Sequence, residues 1–323
     1  MRAHTIAASF IVAAIGYITV KPLGLYEGAV LFFLVAMIHT SGCILNDYYD
    51  YSYDKDDPGK SDRPLVKQGI SVQYAKYAGY TIMLVGLAIA ASISSTLFAV
   101  GLVSATLGIY YNKYSKENIL SELAFTGWEV SLVFVGAAYA GSATILTGIV
   151  SIFIAIQAFY QIQEGSLKDI DGNETTLLSR IGAFKSKYTG YLVPRWFIGV
   201  STALKVAQVV LVTTVLWLGI NMEVPMGSEL PSIQILMVLS LFGLLGIVGS
   251  VFLASFRYCF TKSETRSEVI KSFTVHELAG AVMLLFAVIP VDPAGAIATT
   301  VFSVAWVGVV NWFIHSGPIH PDI

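Results

Sequence analysis

The chain has 323 residues, of which 55% are hydrophobic and only 12% charged, with a mean hydropathy of +0.72. Soluble domains carry about 25% charged residues, so the composition excludes a water-soluble globular protein and makes lipid the solvent for most of the surface. The formal net charge of −2 averages over a polarised molecule and gives no reason to expect a nucleic-acid partner.

Apolar runs long enough for a hydrocarbon core of about 30 Å fall at 4–21, 26–48, 72–92, 94–111, 119–140, 143–163, 196–219, 233–256, 274–290 and 295–315. These ten segments predict an all-α integral membrane protein, a bundle of nine or ten transmembrane helices. The first segment is long, closely coupled to the second and preceded by a single strong charge, Arg2, so it reads as structure and not as a cleaved leader. No low-complexity stretch or long linker divides the chain, which predicts one domain over 1–323. Segment 295–315 is expected either as an added peripheral helix or as part of an interrupted ninth element.

Of the 19 Lys and Arg residues, all but Lys21 and Lys205 lie at the N-terminus, in the connections after the second, fourth, sixth and eighth segments or, for Lys76, at the start of the third segment next to such a connection. The positive-inside rule then places both termini and these loops in the cytoplasm, in a multi-pass protein of the cell membrane. A basic cytoplasmic face also suits anionic lipid or a phosphorylated ligand. Cys43 inside a span and Cys259 just past the end of another give neither a disulfide framework nor metal spacing.

The second span ends in an unusual way, NDYYDYSYDKDDPGKSDRPL from Asn46. His39, Asn46 and Asp50 are separated by seven and four residues, and Asp47 and Asp54 continue the stripe, so a helix would present several oxygen ligands on one face at the membrane surface. Crowded carboxylates repel one another and are costly at membrane depth. A hard cation such as Mg²⁺, which favours one or two carboxylates with phosphate oxygens, would relieve that cost.

The pattern N-D-x-x-D-x-x-x-D at Asn46 to Asp54, then Arg63-Pro64-Leu65 and Gly69 to Ser71, closely resembles the UbiA superfamily of intramembrane polyprenyltransferases. The resemblance extends to six spans before a second polar loop and a Leu-x-Arg-x-Gly that ends at Gly182. It implies a helical bundle around a central cavity open to lipid, in which two acid-rich motifs face each other across two Mg²⁺ ions and a polyprenyl diphosphate such as geranylgeranyl diphosphate. By position, Asn46, Asp47, Asp50 and Asp54 would form the first metal-diphosphate site. Arg63, Lys67, Lys113 and Lys116 would contact the diphosphate.

The second motif departs from the superfamily pattern, reading QIQEGSLKDIDGNETTLLSRIG from Gln161. One alignment sets Asp169 on the last expected aspartate with Gly165 where its partner should be; another sets Asp169 upstream and Asn173 last. Gln161, Glu164, Lys168 and Asp171 are spaced by three, four and three residues and share a helical face if the helix persists. Glu164 is therefore expected as a stand-in ligand, with Asp169 or Asp171 as the second carboxylate.

Other polar residues lie inside spans, and such groups are either functional or mutually neutralising. Glu122 and Glu129 lie seven apart on the fifth span, Lys205 sits in the seventh, and His276, Glu277 and Asn311 occur later. Tyr48, Tyr49, Tyr51, Tyr53, Tyr110, Tyr111 and Tyr160 cluster at span ends bordering the site. An interfacial belt accounts for most of them, while a substrate-facing ring, with Tyr160 included among the substrate contacts, would favour a developing carbocation.

The expected activity is Mg²⁺-dependent transfer of a prenyl group to a lipophilic acceptor in the membrane, either a quinone-precursor ring or a glycerol phosphate lipid. A terpene cyclase acting on the diphosphate alone, and a transporter or lipid-binding protein, are the competing readings.

Overall fold

A computed structural model describes residues 5–56, 60–61, 63–67, 69–168, 170, 176–186, 190–223 and 232–314. The long helices are α1 Ile6–Ile18, α2 Leu25–Asp54, α3 Val72–Ile93, α4 Ser95–Tyr114, α5 Leu120–Ala140, α6 Ile145–Leu167, α8 Arg195–Glu223, α9 Ser232–Thr261, α10 Arg266–Val288 and α11 Pro293–Ile314. Between α6 and α8 lie a single helical turn, α7 Leu177–Arg180, and an antiparallel pair, β1 Phe184–Ser186 with β2 Gly190–Leu192.

Each predicted segment is a helix, and the differences are at the polar ends. α2 runs six residues beyond its apolar run, to Asp54, and α10 begins at Arg266, well before 274. The second extension has a local cause. Thr265 and Glu268 form a capping box, each side chain accepting from the other's backbone N–H, which satisfies donors in a first turn too polar to look like a span. α9 likewise continues to Thr261, so Cys259 lies within the helix and is buried, not past its end.

Among the described residues, eight helices are long and apolar enough to cross a membrane. α1, with 13 residues, and α4 are the two predicted spans outside that set. α4 carries polar residues, Ser104 and Asn112 among them, that face the interior and not lipid.

Two bundles share α6. In the first, α1 to α5 pack around a cavity, and α1 meets α5 backbone to backbone. A Cβ on Gly136 would overlap the Ala13 carbonyl oxygen, and one on Gly16 would overlap that of Val133. Small residues that allow such approach are a common device for joining helices in lipid. In the second bundle, α6 and α8 to α10 enclose an apolar core with Phe153, Val212, Leu216, Phe252, Met283 and Leu284. α11 is a separate helix from α10. Its Phe302 and Trp306 pack on Phe32 of α2 with ring centroids 4.7 and 4.9 Å apart, and Phe302 also reaches Phe10 of α1.

Candidate active site

A cavity of about 280 Å³ opens among α1 to α6. Its floor is polar: His39 lies 2.7 Å from the Thr5 hydroxyl and 2.9 Å from that of Ser9, one on each ring nitrogen. Its wall is aromatic. Tyr111, Phe125 and Trp128 form a row of tilted ring contacts with centroids 4.9 and 5.6 Å apart, and the Trp128 ring continues to His39 at 6.1 Å. Glu129 and Gln161 complete the lining from α5 and α6.

The first acidic motif stands at one end of this cavity. Asn46 lines it, donating to Asn112 Oδ1 at 3.4 Å, while Asn112 donates to the Gly42 carbonyl at 2.9 Å, tying α2 to α4. One turn further, Asp50 is buried and within electrostatic reach of Lys116, Arg63 and Lys60. Asp47 is half-buried. Asp54, 1% exposed, accepts from Lys60 Nζ at 2.7 Å and from the Arg63 guanidinium. The last acid of the motif therefore holds the following basic loop against the helix end.

The loop keeps that shape through its own turn, with Lys67 N–H donating to the Arg63 carbonyl and Gly69 N–H to that of Pro64. Lys67 is exposed, Lys113 is exposed beside the Tyr114 ring, and Lys116 is half-buried near Asp50. Carboxylates and cations are thus gathered around one mouth, an arrangement suited to a polyanion with a metal counterion.

Residues 5–226 match the model of the UbiA prenyltransferase family. The chain belongs to that family. A digeranylgeranylglyceryl phosphate synthase of Methanoregula boonei is 25% identical over 197 residues, 58% of this chain and 69% of the relative. Among solved structures, a UbiA homolog from Aeropyrum pernix K1 superposes with a TM-score of 0.65 at 16% identity, covering 93% of this chain and 99% of that one. A UbiA homolog from Archaeoglobus fulgidus bound to GPP and Mg²⁺ gives 0.62 at 15% identity, covering 90% and 97%. This protein is a multi-pass membrane prenyltransferase of the UbiA family, and the predicted helical bundle is the family fold.

In this UbiA protein the second motif is divided between two environments. Gln161 faces the cavity, but Glu164 points away from it, fully buried, with its Oε1 3.7 Å from His276 Nε2 of α10. Three residues on a helix turn through about 300°, so two side chains near one stripe can enter different interfaces. The expectation that Glu164 joins the first motif around one diphosphate does not fit this placement. Tyr160 is also turned from the cavity and packs on Phe197 and Phe256 at 6.1 and 5.3 Å. Asp169 and Asp171 lie outside the described residues.

The second loop is fastened by Glu122. Its Oε2 accepts from Gln163 Nε2 at 2.7 Å and its Oε1 from the Leu177 backbone N–H at 3.0 Å, at the start of α7. At the other end of α7, Gly182 adopts φ +91°, a left-handed conformation that explains a glycine at the close of the Leu-x-Arg-x-Gly segment. Glu122→Ala should strand a buried Gln163 and an N-terminal N–H, costing about 1–3 kcal/mol. We expect a lower melting temperature and a raised KM for prenyl diphosphate, measured by thermal unfolding and initial rates; unchanged values for both would show that this carboxylate does not organise the loop.

Residues that the spans alone did not single out include Thr5, Ser9, Asn112 and Trp128, contributed by three helices. Their common feature is polarity or size on an otherwise apolar face, but only the packing shows that those faces converge. Glu129 and Lys205 do not pair as the sequence allowed: Glu129 lines the cavity, and Lys205 donates to Gln157 at 2.9 Å.

Proposed function

We propose that the protein transfers a prenyl group from a polyprenyl diphosphate to the hydroxyl of a glycerol phosphate lipid, in a Mg²⁺-dependent reaction at the cytoplasmic face of the membrane. The observation that carries this reading is the junction of the acid–base mouth, Asn46 to Asp54 with Arg63 and Lys116, and the aromatic cavity behind it. Both termini and both polar loops belong on the cytoplasmic side by their basic residues.

The residues at the mouth fit a hard divalent cation. Asn46 supplies an amide oxygen and Asp47 and Asp50 supply carboxylates, while Asp54 already serves Lys60 and Arg63. When bound, Mg²⁺ would neutralise negative charge accumulating on the diphosphate leaving group. Arg63 and Lys116 contribute fixed positive charge at the same place, preorganised by Asp54 and Asp50. The prenyl chain extends into the cavity, where Tyr111, Phe125 and Trp128 present ring faces to the allylic carbon as positive charge grows there, each worth about 0.5–2 kcal/mol. The largely apolar walls limit the access of water, so the allyl group passes to the acceptor hydroxyl, whose oxygen forms the new C–O bond as diphosphate leaves and the hydroxyl proton is released.

The acceptor assignment draws on the M. boonei relative, whose name specifies a glyceryl phosphate product. Its test is a screen of the purified protein with radiolabelled geranylgeranyl diphosphate and Mg²⁺ against a prenylglyceryl phosphate and a hydroxylated aromatic acid. Label is expected in the phosphate-bearing ether lipid. Label in the aromatic acid would overturn the acceptor while leaving prenyl transfer intact.

A further inference from the structure

The second bundle holds a polar cluster with no part in the cavity. It is built by Gln157 and Glu164 of α6, Lys205 and Gln208 of α8, and His276 and Glu277 of α10. Glu164, Lys205, Gln208 and His276 are each 0% exposed. Buried polar groups of this kind are costly unless partnered, and here the partnering is incomplete. Both carboxylate oxygens of Glu164 and Nε2 of His276 have no hydrogen-bond partner.

The tautomer of His276 makes the deficit specific. Its Nδ1 lies 3.1 Å from the Phe252 carbonyl oxygen, an acceptor, so that nitrogen carries the proton. Nε2 then presents a lone pair to Glu164 Oε1, 3.7 Å away. A lone pair and a carboxylate oxygen facing each other in a dry interior need a proton or a metal cation between them. A ring N–H directed at a backbone carbonyl is also the usual support of a metal-ligating histidine.

We propose that Glu164, His276 and Glu277 form a binding site for a divalent first-row transition-metal ion, distinct from the diphosphate site. One potential ligand atom from each of the three lies within 4.8 Å of the others. In a tetrahedral zinc site with bonds of roughly 2.0–2.2 Å, ligand atoms are separated by roughly 3.3–3.6 Å, so the 3.7 Å between Glu164 and His276 is already close to that spacing. Glu277 is oriented too, since its Oε1 accepts from Gln157 Nε2 at 2.7 Å. An imidazole with two carboxylates suits zinc, manganese or iron better than magnesium, which prefers an all-oxygen shell.

Charge favours the same occupant. Lys205 is held aside, donating to Gln157 Oε1 at 2.9 Å and sitting 5.0–5.1 Å from the ring centroids of Tyr160, Phe252 and Phe256. With both carboxylates ionised, the single ammonium would leave a net charge of −1, which a cation would offset. Glu277 is half-buried, so the cluster is not sealed on every side. A metal here would tie α6, the helix leading into the second polar loop, to α10.

The test uses the full-length protein in detergent, stripped with a chelator and then titrated with Zn²⁺ and, as a spectroscopic probe, Co²⁺. One ion per chain is expected to bind with a nitrogen-containing Co²⁺ spectrum and to raise the melting temperature. The diphosphate-site variant Asp50→Ala should bind it equally, and Glu164→Gln, which keeps the shape of the side chain, should weaken it at least tenfold. Absence of saturable binding by the unaltered protein, a spectrum with oxygen ligands only, or undiminished affinity in a folded Glu164→Gln variant would overturn the site and assign the cluster to a proton shared by Glu164 and His276. The first two readouts decide the matter even if that variant does not fold.

Discussion

Asp50→Ala is expected to lower kcat/KM for prenyl transfer by roughly 10²–10³-fold, the usual effect of removing one preorganised electrostatic contact at a reacting centre. Asp50 is buried at the mouth of the cavity, among Lys60, Arg63 and Lys116, and is the acid of the first motif best placed to act on a ligand there. Asp54→Ala should behave differently. Its carboxylate already joins Lys60 and Arg63, so its loss should release the basic loop and appear chiefly as a raised KM for the diphosphate. Initial rates at saturating acceptor, with circular dichroism to confirm folding, separate the two variants. Full turnover by a folded Asp50→Ala protein would remove the first motif from the chemistry.

Gly136→Leu is expected to abolish the folded protein. The first atom of any side chain at 136 falls on the Ala13 carbonyl, a backbone group that no rotamer change can move, and Gly16 meets the same obstacle at Val133. Overpacking an interior costs about 1–3 kcal/mol even where side chains can adjust; here two helix backbones must separate, and with them the cavity wall formed by α5. Gly148→Ala on α6 is the control, because its added carbon meets nothing within 4 Å. Yield and thermal unfolding in detergent should show loss for Gly136→Leu and near-neutrality for Gly148→Ala. A stable Gly136→Leu protein would contradict the backbone contact between α1 and α5.

The helices were legible in the sequence because lipid imposes long apolar runs, and the first motif because Asn46, Asp47, Asp50 and Asp54 interrupt one of them at helical spacing. Polar helix ends were not legible. The capping box at Thr265 and Glu268 stabilises a turn that hydropathy assigns to a loop. Convergence of distant faces was hidden as well: Gln157, Lys205 and Glu277 stand 48 and 72 residues apart in sequence, yet hydrogen bonds link all three. Gln161 and Glu164 show the limit most plainly. A stripe argument tolerates an offset of about 60°, but the packing of α6 uses that offset to send one side chain to the cavity and the other to α10.

The cavity behind the acidic mouth is proposed to serve transfer to an acceptor. The most direct test of that role is diphosphate release by the purified protein in lipid vesicles, supplied with geranylgeranyl diphosphate and Mg²⁺, with and without a prenylglyceryl phosphate. Release should be near background without the acceptor and should rise with it, matched mole for mole by labelled lipid product. Equal release in its absence, accompanied by a cyclised hydrocarbon, would contradict the transferase account.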